Sequence, residues 1–327
     1  MPIPDLLPVL ESLAYHEGAL GWCAMISATT SLAAGFLPAD FAEQIYGPAS
    51  AWTGGFAAPV GKASETDGGL MVTGRWAWGS GSHHCTFLGG GTMIVDADGR
   101  PRPRPDGLRA PFVFFEPGQF ELLDTWQVLG MKGTGSTDYV VSDAFVPEGR
   151  WFEIGQAPRI ERPLYRFPFY GALAVGVAAV ALGIAHRAID ELVELAGAKR
   201  PAGSSRTLAE RPVIQAQVAE ATAAHRSARL LLHDGAHGAW EAVQNGEAPE
   251  RVRFDLRLGA TNAAIQAAKA VDLCYHAAGG TAVYQSSPLE KAFRDVHVAT
   301  QHAMVAPRLF EVIGRATFGL ETSVAQI

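Results

Sequence analysis

The sequence predicts an α+β chain in three parts: N-terminal helices over 1–48, a central antiparallel β-barrel or sandwich over 49–155, and a C-terminal four-helix bundle over 156–327. Three observations carry that reading. Apolar residues recur at helical spacing through the first 45 or so residues. The period vanishes between Trp52 and about Phe152, where short alternating runs are cut by Gly-, Pro- and Asp-rich turns. It returns at Phe167 and continues through long alanine-rich stretches.

The elements follow in order. Asp5 is placed to cap LLPVLESLAYH, with Pro8 tolerated in the first turn. GWCAMISATTSLAAGF is apolar nearly all round, which predicts a buried helix, and FAEQIY is a third, short one. LMVTGRWAW, CTFLGGGTMIV, APFVFFEP and DYVVSDAFVP read as strands. Bundle helices are expected over about Phe169–Gly197, then from Val213 to Trp240 and from Arg251 to Ala277, with Gly279-Gly280 ending the third. A fourth begins at SSPLEKAFRDVHVATQH. The apolar run 171–185 falls short of the ~20 residues that span a bilayer, so it reads as a buried helix and not a membrane segment.

Composition narrows the function. With 48% hydrophobic and 18% charged residues the chain can bury a sizeable core. Its net charge of −7 argues against a nucleic-acid partner. Cys23, Cys85 and Cys274 are too scattered for a disulfide framework or a zinc site, and MPIPDLLPVLES lacks a signal-peptide pattern, so a cytoplasmic location is expected. GTGSTD at 133–138 lacks the last glycine of the dinucleotide fingerprint.

Four groups of side chains could carry chemistry. His233 and His237 stand at metal-binding spacing on a helix, but no third ligand is evident and surface histidines are the simpler reading. His83 and His84, being adjacent, point to opposite sides of a strand or turn. Asp295 and His302, seven apart with Arg294 nearby, share one stripe if their helix is continuous, where an acid and an imidazole could move a proton. Spacing alone favours structural ion pairs for Arg294 and Asp295 and simple packing for His302. Trp78-Gly79-Ser80-Gly81 offers an indole to stack on a flat ring, a hydroxyl for its polar edge and glycines for close backbone approach. Composition alone favours a turn with core tryptophans there.

The helix–β–bundle order, with GRWAWGSG, DTWQVLGMKGTGSTDYVVSDAFVP, YHAAGG and LEKAFRDVHVATQH, resembles the acyl-CoA dehydrogenase superfamily. It is most similar to the superfamily's two-component, flavin-dependent (group D type) monooxygenase branch. The resemblance implies a homotetrameric oxygenase that takes reduced FAD or FMN from a separate flavin reductase. Such an enzyme oxygenates a small molecule through a C4a-(hydro)peroxyflavin. It places Trp78, Ser80 and Gly81 against the isoalloxazine, with backbone 56–59 approaching the same ring. Gly279 and Gly280 match a turn near the adenosine end of FAD, and Arg206 resembles a phosphate-binding arginine. Dehydrogenases carry a catalytic glutamate in the stretch matching Thr300–Ala303; here it contains His302, as in the monooxygenases, and His302 is the expected acid/base, with Asp295 orienting its helix.

Two departures narrow the expectation. Thr29 or Thr30 stands where aromatic hydroxylases carry a second histidine, which disfavours a phenol activated by that group. The resemblance also implies more helices before residue 1 than the sequence shows. Two alternatives follow: an acyl-CoA dehydrogenase acting on acyl-CoA-like substrates with Glu290 or Glu311 as a relocated base, and a non-catalytic structural or binding protein.

Overall fold

The computed structural model describes residues 1–104, 107–108, 110–247 and 250–322. They form two compact units. A helical unit holds Met1–Met25, Val128–Met131 and Tyr170 onward; a β-unit holds Ile26–Gln127 and Lys132–Phe169. The units therefore do not follow the three consecutive segments expected from the sequence. The first 25 residues group with the C-terminal helices, and the short strap Val128–Met131 joins them.

In the helical unit, α1 (Ile3–His16) buries Ile3, Leu7, Leu10 and Ala14, one stripe at helical spacing. Its N-cap is Pro2, and Asp5 lies inside the first turn, not at the cap. A carboxylate there still favours the positive end of the helix dipole. α2 (Gly18–Thr30) follows; α3 (Ala39–Tyr46) and the one-turn α4 (Pro163–Arg166) belong to the β-unit, and the helical unit resumes with the long helices α5 (Phe169–Ala198), α6 (Pro212–Gln244) and α7 (Glu250–Ala278). At 30 residues α5 is twice as long as the apolar run seen in the sequence, and by length and composition it could cross a membrane. In the folded chain, however, 83% of its most apolar window is buried. A Cβ on Gly183 of α5 would come within 2.3 Å of the Glu11 carbonyl of α1, so this glycine lets the two backbones touch. α6 packs along α7, and α7 in turn against α8 (Pro288–Ala299) and α9 (Leu309–Thr317). Helix α8 stops at Ala299, before His302.

The β-unit is built on β1 (Thr53–Thr66), β2 (Gly69–Gly79), β3 (Phe87–Val95), β4 (Pro103–Arg104), β5 (Gly107–Leu108), β6 (Pro111–Phe115), β7 (Glu121–Leu123), β8 (Thr137–Pro147) and β9 (Trp151–Glu153). The main sheet has seven strands in the order β7-β8-β2-β1-β3-β6-β9. It is antiparallel except at β1–β3, which run parallel with Thr53 opposite Phe87. The expected antiparallel sheet is thus a mixed one. Strand β2 folds back on one side of β1, and a 3₁₀ turn at Ser82–His84 carries the chain to the other side, so β3 repeats the direction of β1. Trp76 is fully buried at the centre, stacked on Tyr139 with ring centroids 5.3 Å apart, and its Nε1–H donates to the Gly91 carbonyl at 2.8 Å. Gly90 admits that indole: a Cβ there would meet its ring at 2.7 Å.

Candidate active site

In the β-unit the chemistry-bearing residues gather at the end of β2. Alternation along the strand puts Trp76 inward, and a shift in register beside β8 between Trp76 and Gly79 then turns the chain. Trp78 takes φ +60°, a left-handed backbone that a bulky residue adopts only at a cost on the order of 1 kcal/mol or more. Its ring is 59% exposed and lies 5.4 Å from that of Phe56. The Ser80 N–H donates to the Trp78 carbonyl at 2.8 Å, which closes the turn, and Gly81, at φ +70°, donates to the Thr134 carbonyl at 2.8 Å. The Ser80 and Ser136 hydroxyls are bonded at 2.7 Å, and Ser136 continues to Thr134 at 2.6 Å. Ser80 is therefore buried and turned toward its own unit, while Trp78 is turned out.

The pairing of β1 with β3 skips register between Phe56 and Gly61, so Ala57–Val60 leave the ladder, and Val60 is half exposed. Folding gains nothing from an apolar ring held in water on a left-handed backbone. An exposed indole at such a corner, beside Phe56, suits stacking on a flat heteroaromatic group, and the residues present fit an isoalloxazine. His83 and His84 are both exposed in the 3₁₀ turn that follows. Thr30 is committed elsewhere, its hydroxyl bonded to Thr53 Oγ1 at 2.7 Å.

In the helical unit, α8 is clamped to the strap. Asp295, 4% exposed, accepts the Met131 N–H at 2.5 Å on one carboxylate oxygen and Lys291 Nζ at 2.5 Å on the other. Met131 has φ +54°, so the carboxylate holds a strained residue in place. Arg294 bonds Glu290 through two nitrogens and donates to the Leu129 carbonyl at 2.7 Å. A Cβ on Gly130 would meet the Arg294 carbonyl at 2.3 Å, so only glycine permits the approach. Arg294 and Asp295 are thus the structural ion pairs that spacing favoured. Since α8 ends before His302, the shared stripe proposed for Asp295 and His302 does not exist.

His302 instead caps a short 3₁₀ turn, Ala303–Val305, with Nδ1 accepting the Met304 N–H at 3.2 Å. Its ring stands edge-on to Trp22 of α2, centroids 5.5 Å apart. Desolvation, and then the nearby Arg257 guanidinium, push its pKa down to about 4. At neutral pH it is therefore an uncharged imidazole. With Nδ1 engaged as an acceptor, the ring hydrogen sits on Nε2, which is left as the donor.

The remaining expected residues lie on other elements of the helical unit. Gly279, at φ +59°, and Gly280 end α7 in exposed positions. They adjoin a cleft of about 240 Å³ lined by Glu191, Leu195, Thr281, Tyr284, Ser287 and Leu289. Arg206 is exposed in the α5–α6 loop, where its N–H donates to Ser204 Oγ at 3.2 Å. His237 is exposed, but His233 is not a surface histidine: it is partly buried and bonds Glu11 at 2.7 Å. Among the described residues no group of His, Cys, Asp and Glu could hold a metal. The residue the sequence did not flag is Arg257. It is fully buried, although it stands in RVRFDLRLGA, a run rich in charged residues at the start of the third bundle helix.

Comparison with known proteins follows the same geometry. A model of the acyl-CoA dehydrogenase C-terminal domain matches residues 175–307. An indole-3-acetate monooxygenase of Pseudomonas putida is 33% identical over 95% of this chain and 78% of its own length. The oxygenase subunit HsaA of a flavin-dependent monooxygenase from Rhodococcus jostii is 31% identical over 80% of this chain and 70% of its own. The structure of XiaF from Streptomyces sp., in complex with FADH2 and glycerol, superposes with a TM-score of 0.91 at 25% identity, over 100% of this chain and 84% of that one.

Proposed function

Because the chain belongs to the flavin-dependent monooxygenases of the acyl-CoA dehydrogenase superfamily, we propose that it is the oxygenase component of a two-component system for a small aromatic or heterocyclic substrate. A separate reductase supplies it with reduced FAD or FMN. When bound, reduced flavin supplies the two electrons with which one atom of O2 enters the substrate and the other leaves as water.

The observation that carries the reading is His302. The stretch Thr300–Ala303 offers an imidazole and no carboxylate, and the imidazole is kept neutral with its hydrogen on Nε2. Such a group donates a hydrogen bond from Nε2 to a reacting oxygen while remaining uncharged itself. Abstracting a proton from carbon, as a dehydrogenase does, needs a base, which the resemblance implies is a carboxylate. Glu290 is bound to Arg294, and Glu311 is exposed on α9, so neither supports the dehydrogenase alternative.

In the β-unit, Trp78 and Phe56 present ring faces for the isoalloxazine, and the hydroxyl chain Ser80–Ser136–Thr134 stiffens the turn that aims Trp78. Gly81, at φ +70°, supplies backbone at the same turn. Arg206, Gly279 and Gly280 are proposed for the distal part of the cofactor, and Asp295 for the setting of α8. Leu230, Leu231 and Val213 on α6 are exposed apolar residues that a homotetramer would cover. The cytoplasm is the proposed location.

The test supplies reduced FAD or FMN, oxygen-18-labelled O2 and a panel of aromatic and heterocyclic substrates that begins with indole-3-acetate. The expected result is labelled product from the wild type, and flavin oxidation without product from His302→Ala. Oxidation of acyl-CoAs with an artificial electron acceptor, and no labelled product, would replace this reading with the dehydrogenase one. Failure to bind either flavin would favour the non-catalytic alternative.

A further inference from the structure

The buried guanidinium of Arg257 has a local purpose. Removing an arginine from water is expensive, and desolvation together with the nearby Arg308 charge lowers its pKa to about 10, against a smaller opposing effect of Tyr170. What it bonds therefore matters. Nη1 donates to the Met304 carbonyl at 2.9 Å, lies 3.3 Å from the Met304 sulfur, and reaches the Tyr170 carbonyl at 3.4 Å. Met304 is the residue whose N–H meets Nδ1 of His302. The next N–H, that of Val305, donates to the His302 carbonyl at 3.0 Å. Both peptide groups of Met304 are thus held, one by His302 and the other by Arg257 and His302 together.

Resting on the oxygenase reading above, we propose that Arg257 is a positioning residue: by gripping the Met304 carbonyl it aims the Met304 N–H at Nδ1 of His302, which keeps the ring hydrogen on Nε2. If the hydrogen moved to Nδ1, two donors would face each other, so the fixed N–H selects the tautomer. The guanidinium acts a second time through its charge. Among the described residues the charged and titratable groups around this turn are Arg257 itself, with Arg308 and Tyr170 beside it, and the Arg257 charge opposes a second proton on the imidazole. The Met304 and Tyr170 carbonyl oxygens accept from its Nη1 and orient the guanidinium.

The test is nitrogen-15 NMR of the histidine rings in the flavin-free protein, with His302 assigned by its loss in His302→Gln. The wild type should show the Nε2–H tautomer and a midpoint near 4. Arg257→Met, which fills the space without charge or fork, should show a mixture of tautomers and a midpoint higher by about one pH unit or more. Arg257→Lys keeps the charge and one donor, so it should hold the midpoint low while losing part of the Nε2–H preference. If the methionine variant does not fold, the lysine variant decides. A His302 tautomer and midpoint unchanged from wild type in every folded variant would overturn the proposal. With flavin loaded, the variants should give less product per flavin oxidised at an unchanged substrate KM. Absence of oxygenation even in the wild type would count against the oxygenase reading alone, since the NMR result does not depend on it.

Discussion

Trp78 ends a strand with its indole 59% exposed on a left-handed backbone, whereas His302 follows a helix with its ring set against Trp22 and its charge suppressed by burial and Arg257. The first position is kept available by strain and exposure. The second is kept in one protonation state by desolvation and hydrogen-bond geometry. The difference teaches where substitutions will register. Changes at the β-unit corner should alter what binds, and changes at the helical turn should alter where a proton resides.

The sharpest way to break that comparison lies within the corner itself, where two tryptophans stand two residues apart. Trp76→Ala removes a fully buried ring and its hydrogen bond to Gly91, and should cost about 3–5 kcal/mol in urea unfolding. Trp78→Ala should stay within about 1 kcal/mol of wild type, because its ring is mostly exposed and buries little on folding, while weakening reduced-flavin affinity roughly tenfold. Equal destabilisation by the two would show that Trp78 is only a core residue.

At the helical turn, His302→Ala should lower product formed per flavin oxidised by about 100-fold, the low end of what a positioned acid or base contributes, with flavin affinity changed less than about twofold. Titration of the fold gives the next effect. The folded pKa of about 4 lies below the ordinary histidine value of 6.5, so the unfolded chain takes up the proton first. Stability should fall as pH drops from about 6.5 toward 4 and level off below, by an amount on the order of 3 kcal/mol. Unfolding midpoints of His302→Gln across that range should show a shallower slope; an identical slope would mean that His302 is not desolvated.

The smallest effect separates clamp from chemistry. Asp295→Asn keeps an acceptor for the Met131 N–H but loses the ion pair with Lys291, and should cost about 1–2 kcal/mol. The His302 midpoint should not move. A shifted midpoint would restore to Asp295 the proton-orienting role that the helix break at Ala299 removes.

Much of the architecture was legible because it is written in local periods. The alternation in LMVTGRWAW makes β2 and buries Trp76, and the apolar faces of α5, α6 and α7 follow from alanine-rich helical spacing. The residue types at the candidate site were legible too: an indole before Gly-Ser-Gly, and a histidine where a dehydrogenase would carry a carboxylate. Whether Trp78 faced outward was not, since alternation from Trp76 would have placed it inward. The reversal comes from a register shift against β8, a partner some sixty residues away.

The sequence by itself determined which segments are helix or strand and which reactive side chains the chain possesses, because backbone propensity and side-chain period act over a few neighbouring residues. Only the tertiary structure decided that β3 lies parallel to β1, that Met1–Met25 joins the C-terminal helices, and that α8 stops before His302. It alone also sank Arg257 out of water beside Met304. Those outcomes depend on burial and on hydrogen-bond partners brought from distant parts of the chain, and a charged residue on a helix carries no local mark of whether its neighbours will be water or carbonyl oxygens.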